Sequence, residues 1–364
     1  MINILHTYID LKPGGACKVM INMANIMSND GHNVSIISNK GEFQIHIDEK
    51  INFTCFNLRR KNNFIIKLIF YLIAFITYFK FIKKNNINII INHHRYLSPI
   101  LFLISFFLDF KIIHVAHATS HPMPFLKSKL LGNKIWAVSE TVKNHFIKYF
   151  KINPIDIDII TNCIDEIKLI SNSEINKIKK QENIQEKSII TCVAHYRELK
   201  RQDFLIDAFK LVLKSNSNSI LILYGFGPTE FILKQKVFQA NLVNKVLFIH
   251  KKYSVEEIIN ISDIIVLPSK REGLGLSLLE GLSLGKPIIG TAKTGMQDVI
   301  THGYNGFLFS PNSISSLASF INLILSDEKL YKEMSINAKE SFIKKYNIKD
   351  YKFKLLKKIS QLTN

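Results

Sequence analysis

Acidic residues are few. The 364-residue chain carries 29 Asp and Glu against 48 Lys and Arg, a formal charge of +19, and no carboxylate occurs between Glu49 and Asp109. Such an excess implies an anionic partner: nucleic acid, an anionic membrane surface or a phosphorylated small molecule. Nucleic acid is set aside, because the chain has no zinc finger, no RNA-recognition signature and no basic heptad run. Cysteine is scarce too. Cys17, Cys55, Cys163 and Cys192 are scattered and form no C-x-x-C, which reads as free, mostly buried thiols in a reducing compartment. The opening MINILHTYID lacks a basic n-region and a long apolar h-region, so it reads as a first strand and the protein is expected in the cytoplasm. A spanning segment is also missing. Residues 64–84 are the most apolar stretch, but Lys67 and Lys80 leave only about a dozen uninterrupted apolar residues where about 20 are needed. What is plentiful is apolar residues, 47% of the chain, ample for the two cores that this length suggests.

The chain alternates strands and helices. Residues 2–8 read as a strand, Pro13-Gly14-Gly15 as a loop, and the residues up to Asn29 as a helix with Val19, Met20, Met23, Ile26 and Met27 on one face. Gly31 ends that helix and residues 33–38 form the next strand, a right-handed α/β unit. Residues 64–84 read as a helix that packs on the sheet with its lysines snorkelling, lies in a membrane interface beside anionic lipid, or does both on different faces. Residues 97–110 read as a second apolar helix. The strands at 87–92 and 111–116 end at His93-His94 and at His117, and the C-terminal ends of strands in an open α/β sheet face its ligand. His114, His117 and His121 do not make a metal site, since positions 114 and 117 face opposite sides of a strand and no Cys or acid follows. The tripeptide Asp156-Ile157-Asp158 enters a strand and is likewise assigned no metal. After a polar linker at 165–187, strand–loop–helix resumes: a strand at 189–194, the loop HYRELKRQ with Arg197, Lys200 and Arg201, and a helix at 203–213. A strand at 220–224 runs into Gly225-Phe226-Gly227-Pro228. No internal repeat is evident.

The most informative stretch is SDIIVLPSKREGLGLSLLEGLSLGKP at 262–287. It reads as a buried strand, a glycine-bearing loop, and a short helix that Gly285 and Pro287 stop. Glu272 sits on the loop and Glu280 on the helix. Gly273 and Gly275 permit close backbone approach, and the amides near Leu276 and Ser277 form an anion site. Carboxylates for hydroxyls beside amides for a diphosphate suit a sugar nucleotide. The segment EGLGLSLLE resembles the E-x7-E signature of retaining glycosyltransferases with the GT-B fold, family 4 (glycosyl transferases group 1). The flanking LPS, GKP and GYNGFLF (303–309), together with AVSE at 137–140, fit in order.

The resemblance implies two Rossmann-like α/β domains facing an interdomain cleft: residues 1–165 plus 345–364 for the acceptor, and residues 166–344 for the donor. It implies that Glu280 holds ribose hydroxyls, and that Glu272 holds sugar hydroxyls with the amides near Leu274 and Gly275. Lys200 would stabilise the departing diphosphate, helped by Arg197 or by His195, which with Ala194 stands where Arg and Gly are usual. His117 would lie beside the sugar, Gly14 and Gly15 near the diphosphate or acceptor, Gly225 and Gly227 near the base, and Gly295 beside the donor sugar. His93 is a weaker candidate on the acceptor side. Two departures stand out: Cys163 replaces the glycine of an NGID turn, and Thr294 precedes Gly295 where a second glycine is usual. The implied activity is metal-independent, cofactor-free and retaining. It moves a sugar from a nucleoside diphosphate, UDP foremost, to a glycan or lipid-linked oligosaccharide in bacterial surface polysaccharide synthesis, with peripheral contact to the inner face of the cell membrane. Two alternatives stay open: a GT-B-fold sugar-nucleotide epimerase, and a non-catalytic nucleotide-sugar-binding subunit.

Overall fold

The computed structural model describes residues 1–57, 64–119 and 128–362. The chain divides into two compact units, Met1–Asn162 with Lys349–Asn364, and Cys163–Ile348.

In the first unit the elements run β1 (Asn3–Asp10), α1 (Gly15–Asn29), β2 (Asn33–Asn39), β3 (Asn52–Cys55), α2 (Phe64–Lys84), β4 (Ile89–Asn92), α3 (Ser98–Ile104), β5 (Lys111–Ala116), α4 (Ser128–Leu131), β6 (Lys134–Ala137), α5 (Glu140–Phe150) and β7 (Ile157–Ile159). The strands form a seven-stranded sheet in the order β3-β2-β1-β4-β5-β6-β7, and every pairing is parallel. Strand order reverses between β1 and β4. In an open α/β sheet that switch point, outside the carboxyl ends, is where ligands bind.

The second unit continues with α6 (Asn172–Gln181), β8 (Ser188–Val193), α7 (Gln202–Ser215), β9 (Ser219–Tyr224), α8 (Glu230–Gln239), β10 (Val246–Ile249), α9 (Val255–Ile261), β11 (Ile264–Leu267), α10 (Leu276–Ser283), β12 (Ile288–Thr291), β13 (Gly306–Phe309), α11 (Ile314–Ser326) and α12 (Glu328–Lys345). Its sheet is parallel in the order β10-β9-β8-β11-β12-β13, with its switch point between β8 and β11. The last helix, α13 (Ile348–Ser360), falls almost wholly in the first unit. There Lys358 Nζ reaches Asp158 at 2.6 Å.

Runs of β-branched residues build these strands because helices cover both faces. In β9, Leu221 and Leu223 join one cluster with Phe204, Phe209 and Ile321, while Ile220 and Ile222 join another with Ile178 and Ile258. That is the period-two alternation of a strand, with core on either side. Helix ends follow local chemistry. Ser254 and Glu257 form a capping box on α9. At the end of α10, Gly285 adopts φ +66° while its amide donates to Leu282 O and that of Lys286 to Gly281 O, a Schellman termination.

One expectation changes. The second apolar helix ends at Ile104, not 110: the Ser105 hydroxyl bonds back to Phe102 O at 2.7 Å and the chain turns into β5. The Asp156-Ile157-Asp158 pair is occupied by lysines, Asp156 with Lys134 at 3.7 Å and Asp158 with Lys358. Cys163 needs no positive φ, so its turn forms without the glycine. Arg59, Arg60, Lys61 and His121 lie outside the described residues.

Helix α2 splits its faces. Ala74, Tyr78 and Ile82 are buried against Leu5, Ile90 and Ile112 of the sheet. Leu68, Ile69, Leu72, Ile73 and Ile76 are 44–64% exposed, and Phe106 and Phe107 beyond α3 are 68% exposed. Phe107 meets Phe75 and Phe79 of α2 edge-on, so these apolar surfaces adjoin. Among the described residues no helix is long and apolar enough to cross a membrane.

Candidate functional site

The loops after β8 and β11 meet at the switch point of the second unit. Lys200 ends a single 3-10 turn, Glu198–Lys200. Its Nζ lies 2.8 Å from Glu272 Oε2, with side chains 26% and 15% exposed. The backbone ties the two loops as well, Lys270 N donating to Leu199 O at 2.8 Å. Thus two ions 72 residues apart in sequence are paired at low exposure, where screening by water is weak.

A third loop holds the acid from behind. Gly295 N donates to Glu272 O at 3.0 Å, and a Cβ on Gly295 would stand 1.9 Å from Gly273 O. Glycine is therefore required at 295 by the protein's own packing. Thr294 occupies its hydroxyl internally, donating to Thr291 O at 2.9 Å and accepting from Met296 N. Beneath the ion pair is Cys192, whose thiol burial pushes up to about 12, with Lys200 opposing and Glu272 adding to the shift. It is not a nucleophile at neutral pH.

Gly275 caps α10 in the left-handed region, φ +88°, with no side-chain cap. Leu274 is buried and Leu276 opens the helix; the first amides of a helix have no intrahelical acceptor. Glu280 is only 7% exposed. It adds its negative charge to burial and to Glu256 and Glu257 in raising the Tyr224 phenol, which places it near the carboxyl end of β9.

Gly225 and Gly227 are explained by packing. Added Cβ atoms would meet Ala194 O at 2.2 Å and Tyr196 O at 2.3 Å, and both residues have positive φ, +146° and +155°. Tyr196 N donates to Phe226 O at 2.8 Å, fastening this turn to the loop after β8. His195 is anchored in the same place. Its Nδ1 is 3.2 Å from Phe226 O, a carbonyl that only accepts, so Nδ1 carries the proton. Its ring meets Phe226 edge-on, and Phe226 in turn lies against His250. Arg197 is exposed. Arg201 is turned away, over the Phe204 ring at 4.0 Å and bonded to Asn312.

The first unit brings other residues together at its own switch point. Gly14 caps α1 and Gly15 begins it. Here a Cβ at Gly14 would find nothing nearer than Lys12 O at 4.0 Å, so the fold itself does not demand glycine at 14. At the ends of β4 and β5, His93 Nδ1 lies 2.9 Å from His117 Nε2. His6, inside β1, approaches His93 Nε2 with its Nδ1 at 3.1 Å. His93 is 4% exposed and sits between two other imidazoles. Burial lowers His6 to about 3 and His117 to about 4, the latter assisted by His94. Burial, then His117, His6 and His114, keeps His93 well below the ordinary value. All three are neutral at pH 7. His6 carried no sequence signal: it is one polar residue in an apolar strand, and its partner is 87 positions away.

Comparison with known proteins gives a consistent picture. Residues 13–167 match the family described as Glycosyltransferase Family 4, and residues 174–341 match Glycosyl transferases group 1. The N-acetyl-alpha-D-glucosaminyl L-malate synthase of Bacillus anthracis is 31% identical over 58% of this chain, and the aligned part spans 55% of that synthase. The UDP-Gal:alpha-D-GlcNAc-diphosphoundecaprenol alpha-1,3-galactosyltransferase of Escherichia coli is 25% identical over 95% of this chain and 94% of its own length. The structure of Anabaena Alr3699/HepE in complex with UDP-glucose superposes with a TM-score of 0.84 at 20% identity, covering 99% of this chain and all of that one.

Proposed function

Since the chain is a glycosyltransferase of the group 1, family 4 class with the GT-B fold, we propose that it transfers a sugar, with retention and without a metal, from a UDP-sugar to a hydroxyl of a lipid-linked or other bacterial surface glycan. The observation that carries this reading is the Lys200–Glu272 pair at the mouth of α10, with Glu280 buried in the same helix. A diphosphate takes the amides of Leu274, Gly275 and Leu276, and draws Lys200 toward charge growing on the leaving oxygen. Glu272, released from part of that pairing, accepts from sugar hydroxyls, and Glu280 accepts from the ribose. His195 supports the diphosphate with its anchored ring, and Arg197, exposed beside it, is the alternative cation. Gly225 and Gly227 shape the turn nearest the base, while Gly295 holds the Glu272 loop. In the first unit Gly14 and Gly15 are assigned to the diphosphate or acceptor, because backbone approach by a ligand accounts for a glycine that packing does not need. His117 is assigned to a sugar oxygen. Retention is expected through front-face attack assisted by the leaving phosphate.

A lipid-linked acceptor is supported by the exposed apolar face of α2, by the absence of acidic residues from 50 to 108, and by the +19 charge. Apolar residues beside lysines suit an anionic bilayer surface, which would place the protein on the inner face of the cell membrane. To test the activity, thermal shifts with a panel of nucleoside diphosphates identify the base, and turnover is then measured with the corresponding sugars. If Lys200→Ala and Glu280→Ala turn over as fast as wild type, these roles are wrong. Release of an epimerised UDP-sugar without acceptor would favour the epimerase.

A further inference from the structure

His195 stands where the family resemblance implies an arginine, and it is half-buried and held from two sides. Its Nδ1 lies 3.2 Å from Phe226 O. Its own carbonyl accepts from the amide of Gln202, a residue 1% exposed, at 3.0 Å. Phe226 O also accepts from Tyr196 N, so the backbone fixes this acceptor independently of the ring. A carbonyl only accepts, and Nδ1 is therefore protonated whatever the charge on the imidazole. The other nitrogen, Nε2, sits on the ring edge turned away from the turn after β9. In the sheet β8 separates β9 from β11. Glu272 and the start of α10 follow β11, on the other side of β8 from that turn.

With its proton on Nδ1, a neutral His195 presents only a lone pair at Nε2. A diphosphate oxygen also only accepts, so the neutral ring repels it. An arginine in this place would donate at every pH. His195 can donate only as imidazolium, and an adjacent anion favours that form. Both charge states keep the bond to Phe226 O, so taking up the second proton needs no rearrangement of the loop. The titratable groups around the ring are Arg197, Glu198 and Lys200 on its own loop, Glu272 after β11, Glu230 on α8 and His250 behind Phe226. Glu272 is paired with Lys200 and Glu230 with Lys234, while Arg197 and Glu198 are opposite in sign.

We infer that binding of a donor diphosphate takes up a proton on His195 Nε2, so that donor affinity falls as pH rises through the range in which imidazoles titrate. The contact with the diphosphate rests on the function proposed above. Linkage fixes the sign: a diphosphate that favours the imidazolium is favoured by protonation through the same factor, commonly about 5- to 150-fold. Calorimetric titration of the full-length protein with UDP at pH 7.5, in two buffers of different ionisation enthalpy, counts the protons. Wild type should take up a fraction of one proton, and its Kd should rise about tenfold between pH 7 and 9. His195→Arg can donate to Phe226 O and stays charged. It should bind UDP without uptake, its Kd changing less than about twofold over that interval. His195→Gln keeps an N–H for Phe226 O but carries no charge, and should bind about tenfold more weakly than wild type at pH 7, again without uptake. Uptake that persists in His195→Gln puts the proton on another group and overturns the inference. UDP binding by wild type with no uptake and a flat Kd overturns it too, and leaves the proposed function standing. If a variant does not fold, the wild-type titrations decide. Should UDP fail to bind wild type at any of these pH values, the proposed function and the inference fall together.

Discussion

The Lys200–Glu272 pair supports a calculation and a decisive test. At 2.8 Å the attraction is about 6 kcal/mol at an effective dielectric of about 20. Loss of hydration by two largely shielded ions offsets most of it, leaving a net coupling of about 1–2 kcal/mol between the two ends of the observed range for surface and buried pairs. Lys200→Met leaves Glu272 unpaired with its side chain 15% exposed, and the unfolding free energy should fall by about 2 kcal/mol. Glu272→Gln should cost less, since an amide needs no counter-ion. The double variant should be more stable than the summed losses predict by the coupling energy. Catalysis separates from stability here. If Lys200 meets charge on the leaving diphosphate, Lys200→Met lowers kcat about 100- to 1000-fold, the usual cost of losing one such electrostatic partner. The double variant should recover stability without recovering kcat. The assays are urea unfolding and UDP release with the sugar nucleotide chosen by thermal shift. If Lys200→Met loses stability but its kcat stays within about threefold of wild type, the pair is structural and the leaving-group role is refuted.

Gly295→Ala should destabilise the second unit by about 2 kcal/mol and lower kcat/KM, because its Cβ would sit 1.9 Å from Gly273 O and must displace the Glu272 loop. Gly14→Ala, with open space around the new methyl, should leave the urea midpoint unchanged and raise KM for donor or acceptor. Unfolding stability should also depend on pH. His6 and His114 titrate at about 3 when folded, below the ordinary 6.5, so between these values the unfolded chain binds protons that the folded chain refuses. Their contribution is complete above pH 6.5 and is lost as pH falls toward 3, roughly 2 kcal/mol for each histidine between pH 6.5 and 4.5. A urea midpoint that holds steady from pH 7 to 4.5 would contradict the neutral buried imidazoles. Finally, sedimentation with vesicles containing anionic lipid should retain the protein at low salt, and Leu72→Glu with Ile73→Glu should abolish retention without changing the far-ultraviolet spectrum. Equal binding by the charged variant would remove α2 from the membrane surface.

Much of the donor-side unit is local and therefore legible along the chain. The strand Ile264–Leu267, the glycine loop and the helix Leu276–Ser283 follow from an apolar run, two glycines and a glycine–proline stop, all within 26 residues. Residue type at a short spacing likewise marked Glu272 and Glu280, while Lys200, 72 positions before Glu272, joined them only through the family resemblance. The same letters were mute about cause at Gly225, Gly227 and Gly295. Those glycines read as room for a ligand, whereas the carbonyls of Ala194, Tyr196 and Gly273 already fill the space. Such a contact joins separate loops and has no signature at either end. The apolar stretch at 64–84 announced a helix but not which face it buries. That depended on Leu5, Ile90 and Ile112 arriving beneath Ala74, Tyr78 and Ile82.

The histidine row is the clearest division. Linear order is enough to put His93 and His117 at strand ends, because an apolar strand followed by a polar residue is a local pattern. Their union with His6 required β1 to pair with β4, and β4 with β5, across 85 and 22 positions of register. Parallel neighbours in a sheet are always distant in the chain, since a crossover must intervene. Periodicity and punctuation along the chain therefore specify the elements and their class. Which side chains touch, which glycines are obligatory and where an imidazole keeps its proton arise only when the sheet has assembled.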